Sequence, residues 1–121
     1  SDLKIDLHFK NSPYTGYLSP ETSTQIYYIV QEAVRNIIKH SEADRAEILV
    51  EGQPDFLYIT VTDNGKGIST DNLNQPGHFG LLSMQERTER IGGQLFIQRN
   101  LKGTRIELKV PWEGEANDRE S

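Results

Sequence analysis

Apolar and polar residues alternate along five stretches of the chain, and this period of two predicts strands. The predicted strands are residues 3–10, 46–51, 56–62, 94–98 and 103–110. The first has one apolar face and one wet face, and His8 lies on the wet face, where we expect it to be solvated. In the last strand, Thr104 shares the inward face with three aliphatic residues. Residues 68–78 show no period and predict a long loop.

A helical period lies between the first two strands. Ser19-Pro20-Glu21 supplies an N-cap, a proline and an acid for the first turn, so we expect a helix from there to about His40. Its apolar stripe comprises Ile26, Ile29, Val30, Ala33, Val34, Ile37 and Ile38. A polar line at four-residue spacing, Glu32, Asn36 and His40, borders that stripe, where a pocket wall would lie. The alternative is a polar margin that only makes hydrogen bonds along the helix.

An acid and two glycines follow the strand at residues 56–62. The alternation puts Asp63 on the same side as the aliphatic residues, and a carboxylate at the edge of a core needs hydrogen-bond donors. Gly65 and Gly67 would let the backbone come close to a bound group. Asn64-Gly65 is also a strong signal for a simple hairpin turn, and that alternative stays open for this stretch.

A second set of glycines, in residues 77–81, leads into another predicted helix that ends at Gly92-Gly93. Free amides and the helix dipole make such a junction an anion site, although the signal is weak by itself.

Composition narrows the class of protein. The 121 residues suffice for one domain, and the charged fraction of 26% is typical of a globular protein. A net charge of -5 argues against non-specific nucleic-acid binding. There are no cysteines, which excludes disulfides and thiolate chemistry and fits a cytoplasmic location. No run is long enough to span a bilayer and no signal peptide is present, so we expect no direct membrane contact. The chain begins directly in a strand pattern, as a segment of a longer protein would.

Together these polar groups suggest a nucleotide site. Asp63 can accept a hydrogen bond from the exocyclic amine of adenine, whereas guanine presents an acceptor there, so ATP would be preferred over GTP. Asn36 offers a neutral oxygen to Mg²⁺, which takes few protein ligands. Lys39, His40 and amides near Gly80 could balance phosphate charge. The chain contains neither a Walker motif nor G-x-G-x-x-G.

The sequence resembles the catalytic ATP-binding domain of bacterial sensor histidine kinases, in the superfamily that also contains gyrase, heat-shock chaperones and MutL. Residues 31–41 resemble the N box of that family, and Asp63-Asn64-Gly65-Lys66-Gly67 resembles its first glycine box. Residues 77–87, of the form G-H-x-G-L-x-x-M-x-E-R, resemble the second box, and Gly103-Thr104 the last. The residues of the N box and of the second glycine box are most similar to those of the branch that phosphorylates NarL-type response regulators. The likeness covers residues 1–112, and we expect residues 113–121 to form an acidic, disordered tail.

The resemblance implies an α/β two-layer sandwich of the Bergerat type, a mixed β-sheet covered on one face by helices. It implies Asn36 as ligand of Mg²⁺, Asp63 as the adenine contact, and Thr104 as its support through Asp63. Residues beside the base would be Gly65, Lys66, Gly67 and Ile68. Residues at the phosphates would be Lys39, His40, Gly77, His78, Phe79, Gly80 and Leu81. The second box has one glycine fewer than in other branches, with His78 and Phe79 in its place.

The family reaction transfers the γ-phosphoryl of ATP to a histidine on a separate dimerisation domain, for relay to a response regulator. The histidines of this chain do not fit that acceptor, since none lies on a long helix followed by an acid. We therefore expect a catalytic domain of a cytoplasmic or membrane-anchored parent. Glu32 is expected to act as a base, to orient the reacting groups or simply to make a structural hydrogen bond. The alternatives are a stand-alone ATPase of the gyrase or MutL kind and a non-catalytic nucleotide-binding module.

Overall fold

The computed structural model of the chain describes residues 2–10, 12–66, 80–100 and 102–115. The elements in order are β1 (Lys4–Lys10), β2 (Gly16–Tyr17), α1 (Pro20–Asn36), a π-helical turn (Ile37–Ser41), β3 (Arg45–Gly52), β4 (Phe56–Asp63), α2 (Leu81–Arg90), β5 (Gln94–Asn100), β6 (Gly103–Pro111) and β7 (Gly114–Glu115). The five predicted strands and the two predicted helices are confirmed. The predicted loop at residues 68–78 lies outside the described residues. None of the described helices is long and apolar enough to cross a membrane.

The five long strands form one mixed sheet in the order β1-β3-β4-β6-β5. β1 is parallel to β3, and the other neighbours are antiparallel. Residues of α1 and α2 form a common buried core with the inward face of the sheet. The core comprises Ile29, Ala33, Ile37, Ala46, Ile59, Val61, Leu81, Met84, Ile106, Leu108 and Val110. The expected two-layer α/β sandwich is therefore confirmed.

Both edges of β4 are occupied, by β3 on one side and by β6 on the other. The strand that follows Asn64-Gly65 in the described chain is β5, which pairs with β6 and not with β4. The hairpin interpretation of Asn64-Gly65 is therefore wrong. Asp63 ends a central strand, so its side chain lies at an edge of the core.

The C-terminal end of α1 departs from the predicted apolar stripe. Ile29, Ala33 and Ile37 are buried as predicted, but Ile38 is 60% exposed. The reason is the π-helical turn, in which each turn contains more residues than in an α-helix, so the side chains after Ile37 are rotated from their α-helical positions. Assigning Ile38 to the core was wrong, and the same rotation applies to Lys39 and His40.

The ordered domain also extends further than the sequence indicates. Glu113 binds the first turn of α1: its carboxylate accepts from the Ser19 amide at 2.6 Å and from the Thr22 hydroxyl at 2.8 Å. β7 then pairs with β2. Placing the start of a disordered tail at residue 113 was therefore wrong for residues 113–115, and residues 116–121 lie outside the described part.

Glu113→Ala should lower the free energy of unfolding by about 1 kcal/mol, since it removes acceptors from the N-terminus of a helix. The hydrogen bonds from Ser19 and Thr22 lower the pKa of the Glu113 carboxyl. The ionised Glu113 carboxylate therefore stabilises the native state fully at pH values above its unfolded-state pKa. This stabilisation is lost as the pH falls through its folded-state pKa. Chemical unfolding monitored by circular dichroism should show the difference near neutral pH and its loss in acid. Glu86→Ala, at an exposed position on α2, is the control; an equal loss there would contradict the assignment.

Candidate functional site

The Asp63 carboxyl lies where β4, β6 and the loop after β4 meet. It is half-buried and accepts a hydrogen bond from the Gly65 amide at 2.8 Å. The Thr104 amide, at the start of β6, donates a second. Burial raises the pKa of Asp63, and the two amide hydrogen bonds oppose that rise. The prediction that this carboxylate needs donors is confirmed, and its second donor comes from a strand that lies 41 residues further along the sequence.

Thr104 adds an unusual feature beside Asp63. Its side chain is buried, with 5% of its surface exposed, and its hydroxyl has no hydrogen-bond partner among the described residues. A buried polar atom without a partner is costly, and native proteins usually satisfy it with a water molecule or a ligand. The Asp63 carboxylate thus lies next to a residue whose buried hydroxyl, able to donate and to accept, has no described partner.

Two glycines permit this close packing. A Cβ at Gly103, whose φ is +144°, would overlap the carbonyl oxygen of Asp63. A Cβ at Gly65 would overlap the carbonyl oxygen of Ser41, at the end of the π-helical turn. Lys66 donates its amide to that same oxygen at 2.7 Å. Gly65 therefore brings the segment after β4 against the end of the α1 helix, which joins the predicted N box to the first glycine box.

Asn64 is a residue of this corner that sequence reasoning missed. Its Oδ1 accepts from the amides of Asp44 and Arg45 at 3.1 and 3.0 Å, and its Nδ2 donates to the Asp44 carboxylate at 2.6 Å. Asn64 thus fixes the end of β4 to the start of β3. The Asn-Gly dipeptide signalled a turn, and only the position of β3 shows what the amide binds.

The polar line of the first helix lies beside this corner. Asn36 is buried, with 4% of its surface exposed, and ends α1. Lys39 and His40 lie in the π-helical turn that follows; Lys39 is exposed and His40 half-buried. The turn ends at Ser41, whose carbonyl contacts the Asp63–Lys66 segment. The helix that carries the predicted metal ligand and the predicted phosphate contacts therefore ends against the segment that follows Asp63.

Glu32 lies against the start of α2. Gly80, the N-cap of α2, has a φ of +59°, and a Cβ there would overlap the Glu32 carboxylate. The side chain of Glu32 is about a quarter exposed (28%), with Arg35 Nε 3.8 Å from its Oε2. The candidate base of the N box therefore contacts the end of the segment that contains the second glycine box.

Two of the predicted ligand residues, Lys66 and Leu81, have side chains that do not face the Asp63 corner. Lys66 is exposed and its Nζ lies 3.5 Å from Glu42, so in this structure it is paired away from Asp63. The Leu81 side chain is in the core, which leaves its backbone amide, in the first turn of α2, as the group that could meet an anion. The remaining predicted contacts lie outside the described residues: Gly67, Ile68, Gly77, His78 and Phe79.

The donor set suits a metal that takes few protein ligands. Within residues 2–10, 12–66, 80–100 and 102–115, no group of three or more histidine, cysteine or acidic side chains could hold a metal ion. One buried amide, Asn36, with the remaining positions left to phosphates and water, is the arrangement that Mg²⁺ accepts and that a closed zinc or calcium site does not. The residues present therefore fit a nucleotide-bound Mg²⁺.

Comparison with known proteins gives consistent matches. Residues 21–114 match the family model described as histidine kinase-, DNA gyrase B-, and HSP90-like ATPase. The chain is 41% identical over 104 residues to the sensor histidine kinase YdfH of Bacillus subtilis, covering 84% of this chain and 26% of that protein. It is 34% identical over 113 residues to the histidine-protein kinase/phosphatase DegS of the same organism, covering 89% and 29%. The chain thus spans little more than a quarter of the length of these curated relatives.

Solved structures share the fold at low sequence identity. The ATP binding domain of PrrB from Mycobacterium tuberculosis has a TM-score of 0.69 at 21% identity, covering 94% of this chain and 83% of that one. The histidine kinase domain of the blue-light activated kinase EL346 from Erythrobacter litoralis has a TM-score of 0.68 at 24% identity, covering 88% and 54%. The sheet and the helix layer described above therefore have the same fold as these two domains.

Proposed function

The chain belongs to the histidine kinase-, DNA gyrase B- and HSP90-like ATPase family, and we propose that it is the catalytic, ATP-binding domain of a two-component sensor histidine kinase. The relatives YdfH and DegS, both named as histidine kinases, support this assignment over the other members of the family. The residues of the N box and of the second glycine box favour the branch that acts on NarL-type response regulators.

The observation that carries the proposal is the pairing of Asp63 with Thr104. The Asp63 carboxylate is held by two backbone amides, and the buried Thr104 hydroxyl beside it has no protein partner among the described residues. We propose that the exocyclic amine of adenine donates to Asp63 and that a water molecule or the base itself satisfies Thr104. Guanine would place a carbonyl oxygen against the carboxylate, so the same pair would exclude GTP.

Asn36 is the proposed ligand of Mg²⁺, which would neutralise phosphate charge when it is bound with the nucleotide. Lys39, His40 and the amides of Gly80 and Leu81 are the proposed phosphate contacts among the described residues. In the sequence, Asn36, at the end of α1, and Lys39 and His40, in the π-helical turn, precede Asp63. Gly80 and Leu81, at the start of α2, follow it. The chemistry then consists of holding ATP and balancing its charge, which is most of what phosphoryl transfer requires of a protein.

In the proposed reaction, the bond between the γ-phosphorus and the bridging oxygen of ATP breaks, which releases ADP, and a bond forms to an imidazole nitrogen. Glu32 is the candidate acceptor for the imidazole proton, or the group that orients the imidazole. The acceptor histidine would lie on a dimerisation domain of the same parent protein. Of the histidines in the described residues, His8 is on an edge strand and His40 is in the π-helical turn, and neither position fits that acceptor. A response regulator would receive the phosphoryl group, and we propose that the domain acts in the cytoplasm.

Isothermal titration calorimetry of this chain tests the proposal. We expect ATP to bind more tightly with Mg²⁺ than without it, and Mg-GTP to bind at least about tenfold more weakly than Mg-ATP. With γ-labelled ATP, the chain alone should remain unlabelled, and phosphate release should be slow.

Equal affinity for ATP and GTP would contradict the Asp63 assignment. The absence of ATP binding would overturn the proposal as a whole. Rapid hydrolysis by the isolated chain would instead support a stand-alone ATPase, and tight binding that neither hydrolyses ATP nor supports transfer to an added dimerisation domain would support a non-catalytic module.

A further inference from the structure

Within the residues that the structure describes, the outermost strand of the sheet, β1, has a free edge and an uncovered apolar face. β1 stands at one end of the strand order and pairs only with β3 in the described chain. Its side chains Ile5, Leu7 and Phe9 are 42%, 55% and 72% exposed. They are in register with Ala46, Ile48 and Val50 of β3, which are buried or half-buried. The helix layer therefore covers β3 and leaves β1 beyond its margin.

An apolar groove runs along this margin. It has a volume of about 370 Å³ and lies between Leu7 on β1, Ile48 on β3 and the Ile26, Tyr27 and Val30 side of α1. A long, apolar edge strand is a template for pairing with another strand, because its outer amides and carbonyls have no partner in the sheet. Natural proteins commonly protect such an edge with charged side chains, a proline or a bulge. β1 is a regular seven-residue strand without proline, and its charged side chains Lys4, Asp6 and Lys10 alternate with the apolar ones and so lie on its other face.

The charges on the other face of β1 indicate which strand it fits. That face carries Lys4, Asp6, His8 and Lys10. In an antiparallel pair, residues directly opposite each other lie on the same face of the sheet. Two copies of β1 therefore place their apolar side chains on one common face only when some residue of β1 lies opposite the same residue of the second copy. We call that residue the centre of the register. Three such registers pair at least five residues of Lys4–Lys10, and they are centred on Asp6, Leu7 and His8.

Among the acidic and lysine side chains of Lys4–Lys10, only one of these three registers brings opposite charges together. The register centred on Leu7 also places Asp6 opposite the second copy's His8, and the register centred on His8 places the two His8 side chains opposite each other. Centring on Asp6 places two aspartates opposite each other, and centring on Leu7 places Lys4 opposite the second copy's Lys10, twice. Centring on His8 places Asp6 opposite the second copy's Lys10, twice, and Leu7 opposite its Phe9, twice. Opposite charges and apolar pairs directly across a ladder are stabilising, and like charges are destabilising.

We propose that two copies of this chain associate through β1, antiparallel and centred on His8, so that the two five-stranded sheets become one. Lys10 would then lie between two carboxylates, since its Nζ is already 3.3 Å from Glu51 of its own chain. Leu7 and Phe9 of each copy would be covered by those of the other. The contact is only one strand wide, so we expect reversible association between about 10 µM and about 1 mM.

Sedimentation velocity of this chain over that concentration range tests the surface. We expect a monomer–dimer equilibrium that Leu7→Lys abolishes, because a charge would face the partner's Phe9. Leu82→Lys is the matched control, since Leu82 is also a largely exposed leucine (67%) but lies on α2. Both positions are exposed, so both variants should have the same unfolding temperature as the native chain. A native chain that stays monomeric, or a dimer that resists Leu7→Lys or is lost with Leu82→Lys, would overturn the proposal.

A charge exchange tests the register. Asp6→Lys alone places only lysines at positions 6 and 10, and Lys10→Glu alone places only acids there, so each variant should be monomeric by itself. When the two variants are mixed, every lysine at these positions meets an acid, and a heterodimer should form with an affinity within about tenfold of the native dimer. If mixing does not restore the dimer, or if either single variant dimerises like the native chain, the register centred on His8 is wrong.

Discussion

The Asp63→Asn substitution should weaken ATP binding by on the order of 100-fold while leaving the fold intact. The Gly65 amide donates to Oδ1 of Asp63, so an asparagine there would keep its oxygen towards Gly65 and place its NH₂ group at the position of Oδ2. A donor would then face the exocyclic amine of adenine, and the charged acceptor would be lost. Calorimetric titration with Mg-ATP measures the effect.

The stability of the same variant separates binding from structure. Burial raises the folded-state pKa of Asp63, which means that the ionised form reduces the stability of the native state at pH values above that pKa. A neutral amide removes this cost, so the free energy of unfolding should fall by no more than about 1 kcal/mol. Asp55→Asn, just before the other end of β4, is the control and should change neither quantity. A large loss of stability together with retained ATP affinity would reverse the assignment.

The second large effect is expected for Asn36→Ala. This variant should bind ATP with the same affinity in the presence and absence of Mg²⁺, a loss on the order of 30-fold relative to the native chain with Mg²⁺. Asn36 is buried, so its removal should also lower stability by about 1–2 kcal/mol. The ratio of the two affinities within one variant is independent of that loss, because both titrations use the same folded population.

Glu32→Gln provides the matched comparison, one helical turn before Asn36. It keeps the shape that fits against Gly80 and removes the charge, so Mg-ATP affinity should remain within about twofold of the native value. Transfer to an added dimerisation domain is where its effect is expected. An Asn36→Ala variant whose ATP affinity still rises with Mg²⁺ would exclude Asn36 as the metal ligand, and a large loss of affinity in Glu32→Gln would assign Glu32 to binding.

Much of the fold follows from local patterns in the sequence. The N-cap at Ser19 is observed as predicted, with its hydroxyl 3.2 Å from the Thr22 amide, and the inward parity of β6 is confirmed through Val110. Asp63 could be selected because the alternation of β4 carried a carboxylate into an apolar row. These predictions succeed because a repeat of two or of 3.6 residues determines which side chains share a face before any partner is known.

The sequence failed where the answer depended on a second element. Ile38 has the right spacing for the core, but the π-helical turn rotates it into solvent. Glu113 reads as the start of an acidic tail, and it is ordered because the N-terminus of α1 lies within reach. The amide of Asn64 binds β3, which no feature of the Asn-Gly dipeptide indicates.

The sequence by itself predicted the five long strands, the two helices, most of their inward faces and the residues that we propose for ATP and Mg²⁺. The tertiary structure alone decided that Thr104 donates its amide to Asp63 while its hydroxyl is left without a described partner, that Glu32 contacts Gly80, and that the apolar face of β1 lies beyond the helix layer. The physical reason is that periodicity fixes the direction of a side chain within its own element. The partner that it meets, and whether anything covers it, depend on which distant elements pack beside it.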